Sequence, residues 1–147
     1  MKDGLKFEGI LDYVVYNKHG KVKQKGRAKN QIQTLLLENV IDAIDTAAFT
    51  DTALAAMAIG TGTGAGVASD SLISLASNEL LSGQTQPTSV TLQNVATFTA
   101  VTGTVTEAGL FDAEACTDDM FCYNDGLSIA LTSSDSLEIT WTITASS

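Results

Sequence analysis

The sequence predicts a mainly β protein, a jelly-roll-like β-sandwich with an N-terminal β-hairpin and one or two helices. Residues 5–29 alternate apolar and polar side chains around a turn-forming cluster, which is typical of a hairpin. The second half contains several alternating segments separated by Gly, Asn, Asp or Ser, which is typical of a sandwich or barrel. Apolar residues make up 44% of the 147 residues. That is enough for the core of one domain and too much for a disordered chain.

The predicted hairpin turns at Asn17-Lys18-His19-Gly20. Its first strand has apolar residues at a period of two, namely Phe7, Leu11, Tyr13 and Val15. In the returning strand Val22 is the only large apolar residue, and lysines alternate with other residues. Such a strand presents one cationic face, either to an acidic neighbour or to water, where it protects a sheet edge against aggregation. Both interpretations stay open.

Charge divides the chain into two parts. Residues 1–29 contain all eight Lys and Arg residues and three of the seventeen acids, a net charge of +5. Residues 30–147 contain the other fourteen acids and no Lys or Arg, a net charge of −14. We therefore describe one domain with a basic hairpin or arm, 1–29, and an acidic sandwich body, 30–147. The residues expected to contact a partner are Lys18, Lys21, Lys23, Lys25, Arg27 and Lys29. The acidic body argues against nucleic acid as that partner, because affinity for phosphate comes from cations.

A helix is predicted over residues 31–45. Asn30 can serve as its N-cap, and Gln33 three residues later completes a capping-box pattern. The apolar residues that follow the helical period are Ile32, Leu35, Leu36, Val40, Ile41 and Ile44.

The middle of the chain is predicted to hold a short buried strand at 55–59 and then a flexible glycine-rich loop at 60–66. Ser69-Asp70 is expected to cap a second short helix, which would run through Ile73, Leu75, Leu80 and Leu81. The single proline, Pro87, marks the expected entry into the strand-rich half.

Four strands are predicted after Pro87, at 89–101, 104–111, 120–131 and 136–145. The last alternates most regularly, with Leu137, Ile139, Trp141 and Ile143 on the face that we expect to be core. Asn124-Asp125-Gly126 is interpreted as a two-residue hairpin turn. Glu107 lies in an otherwise apolar segment. We expect its carboxylate to cap backbone N–H groups or to meet a partner, because a buried unpaired charge is prohibitive.

No catalytic, cofactor or metal site is predicted, and the sequence favours a protein that is not an enzyme. The glycine loop lacks the lysine of a phosphate-binding loop. His19, the only histidine, is expected to be an exposed turn residue. The acids Asp112, Glu114, Asp118, Asp119 and Asp125 match no calcium loop, so we interpret them as a solvated loop. Whether Cys116 and Cys122 form a disulfide is left open. We see no signal peptide or membrane span, so we expect synthesis in a cytoplasm and no membrane contact.

Three segments are notable together. They are Met57-Ala58-Ile59-Gly60-Thr61-Gly62, with Ser69-Asp70-Ser71-Leu72 and Asn78-Glu79-Leu80 after it; Thr106-Glu107-Ala108-Gly109-Leu110-Phe111-Asp112; and Asp135-Ser136-Leu137-Glu138-Ile139-Thr140-Trp141-Thr142-Ile143. In this order, behind a hairpin and an apolar helix, they resemble a group of small virion proteins of tailed bacteriophages.

The resemblance implies a β-sandwich presented on the virion. The first expectation is a capsid decoration or cement protein that binds the major capsid protein or other virion subunits as a homotrimer. The alternative is a tail or fibre component that contributes to receptor binding or tail assembly. A third, from outside viruses, is a cellular acidic binding module.

Overall fold

The structure, a computed structural model, describes residues 6–38, 40 and 54–146. These residues form antiparallel β-sheets with one short helical segment, at 34–38 and 40, which confirms the mainly β fold class. The jelly-roll-like strand order stays a prediction. The strands in chain order are β1 (Lys6–Tyr16), β2 (Val22–Lys29), β3 (Gln31–Ile32), β4 (Ala56–Gly60), β5 (Leu75–Leu80), β6 (Gly83–Thr88), β7 (Thr91–Thr99), β8 (Gly103–Val105), β9 (Glu107–Phe111), β10 (Met120–Asn124), β11 (Ile129–Leu131) and β12 (Ser136–Ser146).

Two five-stranded sheets make up most of the described chain. The first sheet has the order β2-β1-β12-β7-β6, and the second has the order β3-β10-β9-β4-β5. Strands β8 and β11 form a separate two-stranded ladder. Pairing of β1 with β12 runs without interruption from Lys6 opposite Ser146 to Tyr16 opposite Ser136. The N-terminal hairpin is therefore a structural part of the first sheet.

The main core lies between the two sheets. Trp141 on β12 is fully buried, and the predicted alternation of β12 is confirmed, since its even-numbered residues from Ser136 to Thr144 are only half-buried. The second sheet contributes Met57, Ile59 and Leu110 to the same cluster, each fully buried. Truncating a side chain as large as Trp141 to alanine in such a core costs about 3–5 kcal/mol.

A second apolar cluster covers the outer side of the second sheet. Ala56, Ala58 and Phe111 belong to its strands, whereas Ala65 and Leu72 come from the segment after β4. Cys116 joins from the loop between β9 and β10. Two loops therefore cover this side of the sheet.

The predicted second helix is wrong. Residues 75–80 form strand β5, which pairs with β4 from Ala56 opposite Leu80 to Gly60 opposite Leu75. Hydrogen bonding to β4 outweighs a helical pattern that had no regular apolar face. Pro87 lies inside β6 at a sheet edge, where a missing N–H costs no ladder bond. Five strands, β1 to β5, already precede Pro87 in the described chain, so it does not mark the entry into a strand-rich half.

The first helix begins later than predicted. Gln31 and Ile32 pair with Tyr123 and Cys122 of β10, so they are extended and Asn30 is not an N-cap. Gln33 is fully buried and donates its amide to the carbonyls of Gly66 and Ser69. The predicted residues 41–45 of this helix lie outside the described residues.

Two of the predicted C-terminal strands are divided. The 104–111 segment separates into β8 and β9, and the 120–131 segment into β10 and β11. The predicted Asp-Gly hairpin is wrong, because β10 pairs with β9 and β3 while β11 pairs with β8. Asn124 Oδ1 instead accepts a hydrogen bond from Gly126 N over 2.9 Å, a local turn that leads the chain out of the second sheet.

Candidate functional site

Strand β2 is an edge strand of the first sheet. Within the described residues it pairs only with β1. We call β2 and the turn before it the cationic edge, because together they contain the six basic residues expected to contact a partner, Lys18, Lys21, Lys23, Lys25, Arg27 and Lys29. The structure therefore brings all six to one side of one sheet.

The face that β2 presents follows from its register with β1. Arg27 lies opposite Asp12, and Lys25 lies opposite Val14. Residues with even numbers point the other way: a Cβ added at Gly26 would overlap the ring of Tyr13, which lies across it. Glycine at 26 thus makes room for Tyr13 beneath the strand, while the cationic side chains extend from its outer side.

Three of the six basic side chains are paired within the chain. Arg27 contacts Asp12 through Nε at 2.7 Å and through a terminal guanidinium nitrogen at 3.3 Å. This hydrogen bond raises the pKa of Arg27. Lys29 Nζ lies 3.6 Å from Glu8 Oε1, an exposed pair of small energetic value.

The third pair, between Lys23 and Asp135, is the most protected. Lys23 Nζ lies 2.8 Å from Asp135 Oδ2, and the Asp135 side chain is only 3% exposed. The same oxygen accepts the backbone N–H of Thr132. The hydrogen bond from Lys23, with that from Thr132, lowers the pKa of the Asp135 carboxyl. Lys23 is also the extra residue of a bulge, since Val15 pairs with Gln24 and Tyr16 with Val22.

The other three basic residues have no such partner. Lys18, Lys21 and Lys25 are exposed, and none has a carboxylate of the described chain within 4.0 Å. The turn that carries Lys18 is ordered by Asn17, whose Oδ1 accepts the N–H groups of His19 and Lys21. His19 is exposed in this turn, as predicted.

A threonine-rich surface lies on the same sheet as the cationic edge, on the far side of β1. On the outer side of the first sheet, β12 contributes Thr140, Thr142 and Thr144, which are half-buried, and β7 contributes Thr97 and Thr99, which are exposed. We call these five residues the threonine face. They follow the same alternation that places Trp141 in the core.

Glu107 has the structural role that the sequence suggested. Its carboxylate is fully buried and accepts hydrogen bonds from the backbone N–H groups of Gly62, Ile73 and Ser74, at 2.7–3.0 Å. The hydroxyl of Tyr123 donates to Oε2 at 3.0 Å. The Glu107 carboxylate therefore ties the glycine-rich loop and residues 73 and 74 to the sheet.

The acidic loop and the cysteines form no metal or redox centre in the described residues. No group of three or more His, Cys, Asp or Glu side chains suited to a metal ion occurs there. Cys116 and Cys122 are free and buried. Burial raises the pKa of both thiols to about 12, and the Glu114 carboxylate adds to the effect at Cys116.

A small open cavity lies between the helical segment and residues 67–70. It is lined by Thr34, Leu35, Glu38 and residues 67–70, and its volume is about 110 Å³. Small-molecule sites usually measure roughly 300–1,000 Å³. The cavity therefore gives no support to a substrate site.

Sequence reasoning missed the internal counter-ions Asp12, Glu8 and Asp135. Asp12 alternates with the buried residues of β1, so its outward direction was predictable, but its partner was not. The bulge at Lys23 sets which lysine opposes which acid, and no sequence pattern marks it.

Comparison with known proteins identifies no relative: no family model, curated protein or solved structure matches the chain. In the described residues, no helix is long and apolar enough to cross a bilayer.

Proposed function

We propose that this chain is a structural protein, not an enzyme, that binds an anionic protein surface through its cationic edge. The observation that carries the proposal is the exposure of Lys18, Lys21 and Lys25 on an edge strand without a carboxylate partner in the described chain. Pairing of β1 with β12 holds these lysines on a rigid element. A preorganised strand loses less conformational entropy on binding than a free arm would.

The setting that we propose is the outside of a tailed-phage capsid, with the chain as a cement protein on neighbouring capsid subunits, as a homotrimer. The resemblance of the three sequence segments supports this setting. Many copies on one particle would add weak contacts into stable attachment.

Charge and area have different roles in this proposal. Exposed ion pairs contribute about 0–1 kcal/mol each, so the lysines set orientation and association rate more than affinity. The threonine face lies on the same side of the sheet as the cationic side chains, with β1 between them. It carries one carboxylate, that of Glu138, which lies directly opposite Thr97. Burial of the threonine face against a partner would supply the rest of the binding free energy.

The test compares two variants with the same net charge on virions from which the chain has been removed. One changes Lys18, Lys21 and Lys25 to Gln. The other changes Thr85, Ser89 and Thr102, which are exposed and lie away from β2, to Glu. Each takes the formal net charge from −9 to −12. We expect the first variant to rebind poorly at low salt and the control to rebind like the wild-type chain.

Equal rebinding of both variants would contradict the proposal, as would absence of the chain from purified virions. Deleting residues 1–29 is not a suitable test, because it removes β1 with the core residues Leu11 and Val15.

A second candidate is a tail or fibre protein, and one observation favours it. The glycine-rich loop and the acidic loop both cover the outer side of the second sheet through Ala65, Leu72 and Cys116. They would form a recognition surface opposite the threonine face, since loops on a rigid scaffold often carry recognition. A high copy number per particle supports cement, and a low copy number supports the tail.

A further inference from the structure

The backbone of β2 has a defined polarity toward its open edge. Asn30 N donates to Gly9 O over 3.1 Å, so these two residues form a hydrogen-bonded pair. The register continues with Ile10 opposite Lys29, Leu11 opposite Ala28 and Asp12 opposite Arg27. In an antiparallel ladder, hydrogen-bonded and non-hydrogen-bonded pairs alternate. The pairs of Lys29, Arg27 and Lys25 with β1 are therefore the non-hydrogen-bonded ones.

A residue in a non-hydrogen-bonded pair directs its own N–H and C=O away from that neighbour. Lys25, Arg27 and Lys29 therefore direct their backbone groups to the open edge. One contact agrees with this assignment: Asn124 Nδ2 donates to the carbonyl of Lys29 over 2.5 Å. At Lys25 and Arg27 no backbone hydrogen bond beyond the β1 ladder is found in the described residues.

The same residues carry the cationic side chains. Lys25 has no carboxylate partner in the described chain, and the Arg27 side chain stays 69% exposed despite its contact with Asp12. An added antiparallel strand would form hydrogen-bonded pairs with Lys25 and Arg27, with opposing Cα atoms about 5.5 Å apart. Side chains of directly opposite residues lie on the same face and interact. Residues of that strand at alternate positions would thus face the two cations.

We infer that the open edge of β2 binds an extended segment of a partner protein, by addition of an antiparallel strand with acidic residues at alternate positions. This inference rests on the proposed function, because it names the chemistry of the segment that the cationic edge recognises. In strand addition, backbone hydrogen bonds between the two strands supply affinity, and the alternate side chains of the added strand supply specificity. A second copy of β2 is disfavoured, since it would place Lys and Arg opposite Lys and Arg.

Synthetic peptides test the inference on the full-length chain. The first peptide alternates Glu with Thr, and the second has the same composition with its Glu residues consecutive. In the added strand each Glu directs its N–H toward β2 and each Thr directs its N–H away. A third peptide therefore carries N-methyl groups on the Glu amides, and a matched fourth carries them on the Thr amides.

We expect the first and fourth peptides to bind. The second and third peptides should bind more weakly, by a factor of about ten or more. Loss of two backbone hydrogen bonds, at 0.5–1.5 kcal/mol each, gives a change of about that size. The Lys21 and Lys25 to Gln double variant should weaken binding of the first peptide.

Equal binding of all four peptides would overturn strand addition and leave only charge attraction. Absence of any peptide binding, with lysine-dependent attachment to virions intact, would overturn this inference but not the proposed function. Failure of the wild-type chain to rebind virions, with the first peptide still bound, would instead overturn the virion setting and leave the strand-binding edge.

Discussion

Tyr123 donates its hydroxyl proton to Glu107 Oε2 over 3.0 Å, and both side chains are buried. Ala65 N approaches the same hydroxyl oxygen at 3.4 Å. This contact links β10 to β9 and to the loop after β4. Together with the three N–H groups on its carboxylate, it makes Glu107 the residue through which several distant segments are joined.

Replacing Glu107 with Gln should destabilise the fold by about 2–4 kcal/mol. One carboxylate oxygen becomes an NH₂ group, which cannot accept from N–H donors, and a lost hydrogen bond to a buried charge costs about 1.5–3 kcal/mol before the stranded donors are counted. Urea unfolding measures the change. The exposed Glu114→Gln variant is the control, expected within about 0.5 kcal/mol of the wild-type chain. Equal midpoints for both variants would contradict the role of Glu107.

Alkaline pH should weaken the fold through Tyr123. Burial, with the nearby Glu107 carboxylate, raises the pKa of Tyr123 from 10.0 to about 12. The folded state holds this proton more tightly than the unfolded state, so its contribution to stability is complete below pH 10 and is lost as the pH rises to about 12. Tyr123→Phe should flatten this decline in urea midpoints, and Tyr16→Phe should keep it. If the urea midpoint of Tyr123→Phe declines as steeply with rising pH as that of the wild-type chain, groups other than Tyr123 cause the decline.

Both cysteines should be unreactive in the native protein. Burial raises the pKa of each thiol to about 12, so little thiolate forms near neutral pH. We expect an aromatic disulfide reagent at pH 8 to leave Cys116 and Cys122 untouched in buffer and to titrate both in urea. An intact mass that shows a disulfide, or rapid labelling of the folded chain, would contradict the structure.

Acid should remove the contribution of Asp135. Its hydrogen bonds from Lys23 and Thr132 lower its pKa in the folded state from 3.8. A lowered carboxyl pKa stabilises the fold above the unfolded value, and this gain is lost as the pH falls below 3.8 through the folded value. Asp135→Asn should therefore be less stable than the wild-type chain at neutral pH and converge with it in acid. Asp70→Asn, at an exposed site, is the control. A constant difference at every pH would contradict the assignment.

Sequence patterns predicted the parts of the fold in which one face of a strand is buried. β12 is an example, because Leu137 to Ile143 alternate between core and surface without interruption. β5 was not predicted, because it leaves Leu75 and Leu80 exposed and depends on hydrogen bonding to β4. Strands of this kind are set by tertiary pairing rather than by their own pattern.

The candidate site was predictable in part for the same reason. Alternation of Lys21 to Lys29 indicated a cationic face, and the structure places that face at a sheet edge. The alternation did not indicate that Arg27, Lys29 and Lys23 have internal partners, since those partners depend on the register of β2 with β1 and on the bulge. The role of Glu107 was predicted, but its donors at Gly62, Ile73 and Ser74 lie far away in the sequence.

A map of the intact particle that resolves side chains around Lys25 tests the central claim most directly. We expect a partner's carboxylate within ion-pairing distance of Lys25 Nζ, on a segment that runs along β2. A Lys25 side chain surrounded only by solvent in the assembled state, with the open edge of β2 uncovered, would contradict it.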